Sequence, residues 1–138
     1  MPETTTNQPR PTLDQRRAAH AWDVVQRAKR KQANHQRQEP KKFGGQAKKL
    51  PTRIMAAGLG QALAFLKAKD YAPGLLAELS DWTGEQIPSQ RNGPKDLLER
   101  IVKGDSDFLR RATDEVLAYL VWLNRFAEAE GLTEGDDP

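Results

Sequence analysis

Cysteine is absent from this 138-residue chain, histidine occurs twice, and aromatic residues make up only 7% of it. A disulfide scaffold, a thiolate nucleophile and a Cys-ligated zinc site are therefore excluded. The longest strictly apolar run, Val116 to Leu123, is eight residues, whereas a membrane-crossing helix needs about twenty; no membrane association is expected. Met1 to Thr12 is dominated by Pro, Thr, Asn and Gln and has no apolar stretch. No secretory signal is read there, and a cytoplasmic location is expected. Ten glycines and nine prolines stay below a low-complexity composition, and the length fits one domain with a small core. No segment alternates apolar and polar positions with β-branched residues, so the expected fold is an all-α, single-domain bundle of about five or six helices.

Charge is present in quantity and unevenly placed. The formal net charge is +3, yet residues 1–53 carry +9 and residues 54–138 carry −6. Such asymmetry suits either a polyanion bound at the basic part or copies of the chain meeting basic face to acidic face.

Residues 1–11 read as a disordered leader, residues 12–129 as the helical bundle, and residues 130–138 as an acidic flexible tail. Thr12 and Gln15 form a capping-box pattern that opens the first helix, with Asp14 in its first turn. Ala18, Ala21, Trp22, Val25, Ala28 and Gln32 then trace a narrow stripe anchored by Trp22, and the helix should run to about His35. Lys41 to Lys69 reads as a second helical region, with Phe43, Ala47, Leu50 and Ile54 in phase and an expected kink near Pro51. Gly58 and Gly60 interrupt its continuation at a cost on the order of 1 kcal/mol each. Pro73 and Pro94 are placed to open two shorter helices, and Gly104 to end the second. Asp105 or Ser106 caps a final helix, whose apolar positions cover more than one face and make it the central element. Trp22, Leu59, Leu63, Leu120 and Leu123 are expected in the core.

Catalytic patterns find little support. His20 and His35 are fifteen residues apart, not the i, i+4 pair of a zinc helix, and read as solvated surface residues. Gly58–Leu59–Gly60 lacks the third glycine, the preceding strand and the Lys-Ser or Lys-Thr of a phosphate loop. Asp105 and Asp107 lie at a helix start, where capping explains them better than a magnesium site. A helix-turn-helix around Gly58 to Gly60 would lack base-reading Arg or Asn in the segment that follows. No enzymatic activity, metal or cofactor is expected.

The basic clusters carry the stronger signal. Lys41 and Lys42, Lys48 and Lys49, and Arg53 recur at steps that align Lys42, Lys49 and Arg53 along one helical stripe. Few acids interleave, so the stripe is not built of i, i+4 ion pairs. The first helix adds Arg16, Arg27, Arg30 and Lys31. With Phe43, Trp22 and Trp82 all in apolar phase, a base-stacking platform is disfavoured, and contact with a sugar-phosphate backbone is the consistent form. The residues alone leave open the plainer alternative, that these cations solvate a protein-only adaptor.

Three blocks, TLDQRRAAHAWDVVQ (Thr12 to Gln26), KKFGGQAKKLPTRIMAAGLGQALAFLKAK (Lys41 to Lys69) and RRATDEVLAYLVWLNRFAEA (Arg110 to Ala129), together resemble the small helical subunit of the type III-B CRISPR effector, the Cmr complex. The resemblance implies an all-helical protein without catalytic activity of its own. It implies several copies along one side of an antiviral, RNA-guided ribonucleoprotein, beside the other effector subunits and lining the channel where target RNA pairs with guide RNA. On that footing Lys42, Lys48, Lys49 and Arg53 are the preferred phosphate contacts. Arg16, Arg17, Lys41, Lys67, Arg110 and Arg111 are the further candidates, and Gln61 is a further residue shared with the family.

Overall fold

The computed structural model describes residues 9–33, 38–69 and 72–133. Residues 1–8 of the leader, the expected helix end at His35 and residues 134–138 of the tail lie outside that range. Six helices follow one another, and among the described residues there is no strand. They are α1 (Leu13–Ala33), α2 (Gln38–Ala57), α3 (Leu59–Lys69), α4 (Pro73–Gln86), α5 (Leu97–Lys103) and α6 (Ser106–Ala129), in accord with the expected all-α bundle.

Local chemistry starts each helix. The Thr12 backbone N–H donates to Gln15 Oε1 at 2.7 Å while the Gln15 N–H donates to Thr12 Oγ1 at 3.0 Å, a reciprocal capping box that satisfies two otherwise orphaned donors. Pro73 occupies the first turn of α4, where its missing N–H costs nothing. Asp105 caps α6 by accepting from the Phe108 N–H at 2.9 Å, so the carboxylate does the work expected of it there. The start of α5 differs from expectation. Asp96, not Pro94, opens it, accepting from the Glu99 N–H at 3.1 Å; a side-chain acceptor at the N-cap outweighs the preset φ of a proline two residues earlier.

Pro51, where a kink is expected, does not end its helix. Pro51 lies inside the continuous α2, held between the buried Leu50 and Ile54. Core packing on both sides compensates a hydrogen bond that proline cannot make. The chain breaks seven residues later at Gly58, whose φ of +91° is the left-handed conformation that side chains other than glycine adopt with strain. From that corner α3 turns back against α2.

α6 is the central element, packing on α1, α2 and α4. Leu59, Leu63, Leu120 and Leu123 are fully buried, as expected, together with Leu50, Leu66, Leu75, Leu79, Trp82 and Tyr119; each large side chain so removed from water contributes about 1.5–3 kcal/mol. Trp22 is not among them. It is 48% exposed and meets Phe126 edge-on at a ring separation of 5.3 Å. The buried side of α1 is set by Ala21, Val24 and Val25, one step around the helix from the expected anchor.

After α6 the described chain stays packed on the bundle through Leu132. The Leu132 N–H donates to the Ala127 carbonyl at 2.8 Å and the Gly131 N–H to Glu128 at 3.1 Å, the paired bonds of a Schellman motif. Leu132 is 1% exposed. Its backbone lies so close to α2 that a Cβ on Gly44 would stand 1.8 Å from the Leu132 carbonyl oxygen. Gly44 is therefore the point where the chain end crosses α2, and the ordered domain extends at least to Leu132.

Candidate nucleic-acid interface

From residue 40 to residue 69 the chain carries seven Lys or Arg and no Asp or Glu. α2 turns Phe43, Ala47, Leu50 and Ile54 inward, and the same geometry leaves Lys41, Lys42, Lys48 and Lys49 exposed. The seven-residue steps from 41 to 48 and from 42 to 49 put these lysines on one side of the helix. Among the described residues no acidic side chain pairs with Lys41, Lys42 or Lys49. Cations left without intramolecular partners on one surface create a local positive potential, the electrostatic footprint that a phosphate backbone requires.

Arg53 is half-buried. Its guanidinium donates to Gln46 Oε1 at 2.6 Å and lies 4.5 Å from the centre of the Phe65 ring. Lys69 approaches the same ring at 5.6 Å, so the basic surface of α2 runs onto α3, where Lys67 is also exposed. Phe65 is an aromatic that sequence reasoning passed over. It is 40% exposed and tied to two cations, each contact worth about 0.5–1 kcal/mol at such a site. Its i, i+4 spacing to Lys69 was the available signal.

The other candidates separate into different roles. Arg17 belongs to the interior: its Nε and one terminal nitrogen donate to the two oxygens of Glu115 at 2.6 and 2.9 Å, with Asp14 bound at 3.1 Å. The Trp82 indole N–H adds a 2.9 Å bond to Glu115. Burial alone would raise the Glu115 carboxyl, but hydrogen bonds from Arg17 and Trp82 and the Arg17 charge hold it below its ordinary 4.5. The same Glu115 contact raises the Arg17 guanidinium above its usual value. Arg17 is thus engaged by carboxylates of its own fold. The missed signal was Glu115, an acid in the buried phase of Ala112, Val116 and Tyr119.

Arg110 is exposed and bound to Asp107 at 2.9 Å, with Asp114 at 3.9 Å, while Arg16 and Arg111 are exposed. Arg17, Arg110 and Arg111 do converge on one cleft of about 280 Å³, but Asp114 and Glu115 line it too. That cleft is electrostatically mixed, unlike the surface of α2 and α3.

His20 differs from the solvated residue expected. Its ring nitrogens bridge the Tyr119 hydroxyl at 2.6 Å and Asp81 Oδ2 at 2.8 Å, and its side chain is largely covered. Tyr119 stacks on Trp82 at 5.6 Å, and burial pushes its phenol above its usual value, so it stays a neutral hydroxyl. His20, Asp81 and Glu85 bring ligand atoms within 4.8 Å of one another. Asp81 already holds one ring nitrogen of His20 within this cluster.

Comparison with known proteins gives this surface its setting. Residues 13–130 match the family model of the CRISPR-associated protein Cas_Cmr5. The chain belongs to that family. The match spans all six helices, so the basic surface and the Arg17–Glu115 interior lie within the Cas_Cmr5 region, while Leu132, which crosses Gly44, lies just beyond it. Membership makes the chain a Cmr-complex subunit associated with other Cmr subunits, in agreement with the resemblance read from its three sequence blocks. None of the helices is long and apolar enough to cross a membrane.

Proposed function

We propose that this Cas_Cmr5 member is a non-catalytic subunit of a type III-B ribonucleoprotein effector that serves antiviral defence in the cytoplasm. Several copies stack within the complex, and each contacts the backbone of the target RNA and guide RNA duplex. The observation that supports this reading is the acid-free span from residue 40 to residue 69, with Lys41, Lys42, Lys48 and Lys49 exposed on one side of α2. Lys42 and Lys49 lead as phosphate contacts, with Lys41 and Lys48 beside them. Arg53, already engaged by Gln46 and Phe65, contributes charge more than direct contact, and Lys67 extends the track along α3. Arg16, Arg110 and Arg111 form the outlying set.

The mechanism is counterion release. Each phosphate neutralised contributes about −0.7 on a single strand and about −0.9 on a duplex to the slope of log affinity against log salt, and three to four contacts per copy give about −2 to −4. Lysine ammonium groups on exposed stems read charge and not sequence, so base selection is delegated to guide pairing. An isolated subunit binds weakly, and stacked copies gain through effective concentration.

The test is a salt titration of RNA affinity with the assembled complex, comparing the parent with Lys41, Lys42, Lys48 and Lys49 all replaced by Ala. The expected result is normal assembly with a shallower slope and weaker RNA binding. Failed assembly with unchanged RNA affinity per assembled complex would instead identify the lysines as protein contacts, the adaptor reading.

A further inference from the structure

Arg100 stands apart from every other arginine described here. It is 9% exposed and, with Glu115, one of two buried charged side chains among the described residues. Glu115 is matched by Arg17, and exposed Arg27 by Glu78 at 2.9 Å. Arg100 has no ion pair or side-chain hydrogen bond within the described chain; its one specific contact is the Phe108 ring, 4.4 Å from the guanidinium carbon. That contact covers a face of the guanidinium and leaves its in-plane N–H donors unanswered. Most of the side chain is covered while its donors face only the clefts, and burial lowers its pKa with no opposing carboxylate.

The side chain lies where two surface clefts meet. One, of about 330 Å³, lies between the 87–94 loop, α5 and the start of α6; Ile87, Pro88, Pro94 and Phe108 give it apolar walls, Ser89 and Lys103 polar edges, and no acidic side chain lines it. The other, of about 460 Å³, carries Asp81 and Glu85 beside Lys95 and Arg100. Those two carboxylates, with Glu99 holding the Lys103 ammonium at 2.8 Å, make the surroundings unfavourable to a polyanion. A single negative group on a short aliphatic arm is what the acid-free cleft suits: its carboxylate reaches the planar guanidinium and its methylenes rest on proline, isoleucine and phenylalanine.

We propose that the Arg100 cleft receives one aspartate or glutamate side chain from a neighbouring protein chain. Its function is distinct from the lysine surface of α2: it registers a protein neighbour through one buried charge pair that completes on docking.

The full chain, labelled with nitrogen-15, allows this to be tested through the Nε–Hε resonance of Arg100, assigned by its disappearance in Arg100→Met. The probes are N-acetylglutamate N′-methylamide, the matching glutamine compound, inorganic phosphate and a short oligouridylate. The expected result is a saturable shift with the glutamate probe, at least about tenfold weaker with the uncharged glutamine probe, with phosphate and oligouridylate weaker than glutamate. Should Arg100→Met fail to fold, assignment through bonds in the parent chain serves the same titration. A silent resonance, an equal response to glutamate and glutamine, or a stronger response to phosphate or oligouridylate would each overturn the proposal.

Discussion

The surface of α2 and α3 and the interface between α1 and α6 use the same basic residue types for opposite purposes. On α2 Lys41, Lys42, Lys48 and Lys49 are exposed, and residues 40–69 carry no acid. Between α1 and α6, Arg17 is enclosed by Glu115 and Asp14, and Lys29 at the far end of α1 meets Glu130 at 3.0 Å. A cation's role thus follows from whether the fold brings it a carboxylate from a distant part of the chain. Arg16 and Arg17 are neighbours in sequence, yet α1 sends one outward and the other to a partner ninety-eight positions away. Net charge of a segment cannot separate those two fates.

The comparison breaks most visibly at its buried side. Replacing Arg17 by Ala leaves Glu115 without its counter-charge and should destabilise the fold by about 3–5 kcal/mol, read from urea unfolding. The pH dependence has a defined sign. Because the Glu115 carboxyl is lower in the folded chain than its ordinary 4.5, the unfolded state binds the proton more readily. The stabilisation is complete above pH 4.5 and is lost as pH falls through the folded value. Glu115→Gln should flatten that part of the acid limb relative to the parent; an unchanged limb would show that the pair does not control it.

Gly44→Ala comes next. A Cβ at 1.8 Å from the Leu132 carbonyl forces either α2 or the chain end to move, and overpacking of this kind costs about 1–3 kcal/mol. Thermal unfolding measures the loss, and rapid exchange of the Leu132 amide would locate it. Thr12→Ala removes half of the capping box and should cost about 1 kcal/mol, detectable as fraying of the first turn of α1 by hydrogen exchange. Smallest in stability are Lys42→Ala and Lys49→Ala, each expected within about 0.5 kcal/mol of the parent. Their effect belongs in RNA binding, where each should reduce the salt slope by about 0.7–0.9. A large stability change at either lysine would erase the contrast between the two regions.

Much of the architecture was readable from residues acting locally. The Thr12–Gln15 box, Pro73 in a first turn and Asp105 as a cap are short-range chemistry, and the leucines at positions 59, 63, 120 and 123 follow from helical phase. What escaped depends on contacts distant in sequence. The narrow stripe of α1 does not reveal which of its edges faces inward, so helical phase places Trp22 in the core while the buried Val24 turns it outward. His20 could not be distinguished from a solvated histidine without Tyr119 and Asp81, ninety-nine and sixty-one residues away. That α2 continues through Pro51 rests on core packing around Leu50 and Ile54. Of the candidate interface, the lysines of α2 were legible by spacing and the lack of acids; the pairing of Arg17 with Glu115 and the cation contacts of Phe65 required the packing of α6 and α3.

An atomic map of the assembled, RNA-bound effector tests the central claim most directly. The account predicts the ammonium groups of Lys42 and Lys49 within hydrogen-bonding distance of phosphate oxygens, with no lysine of α2 against a base edge. A map that turns this side of α2 toward solvent or a protein neighbour, away from every nucleotide, would contradict it.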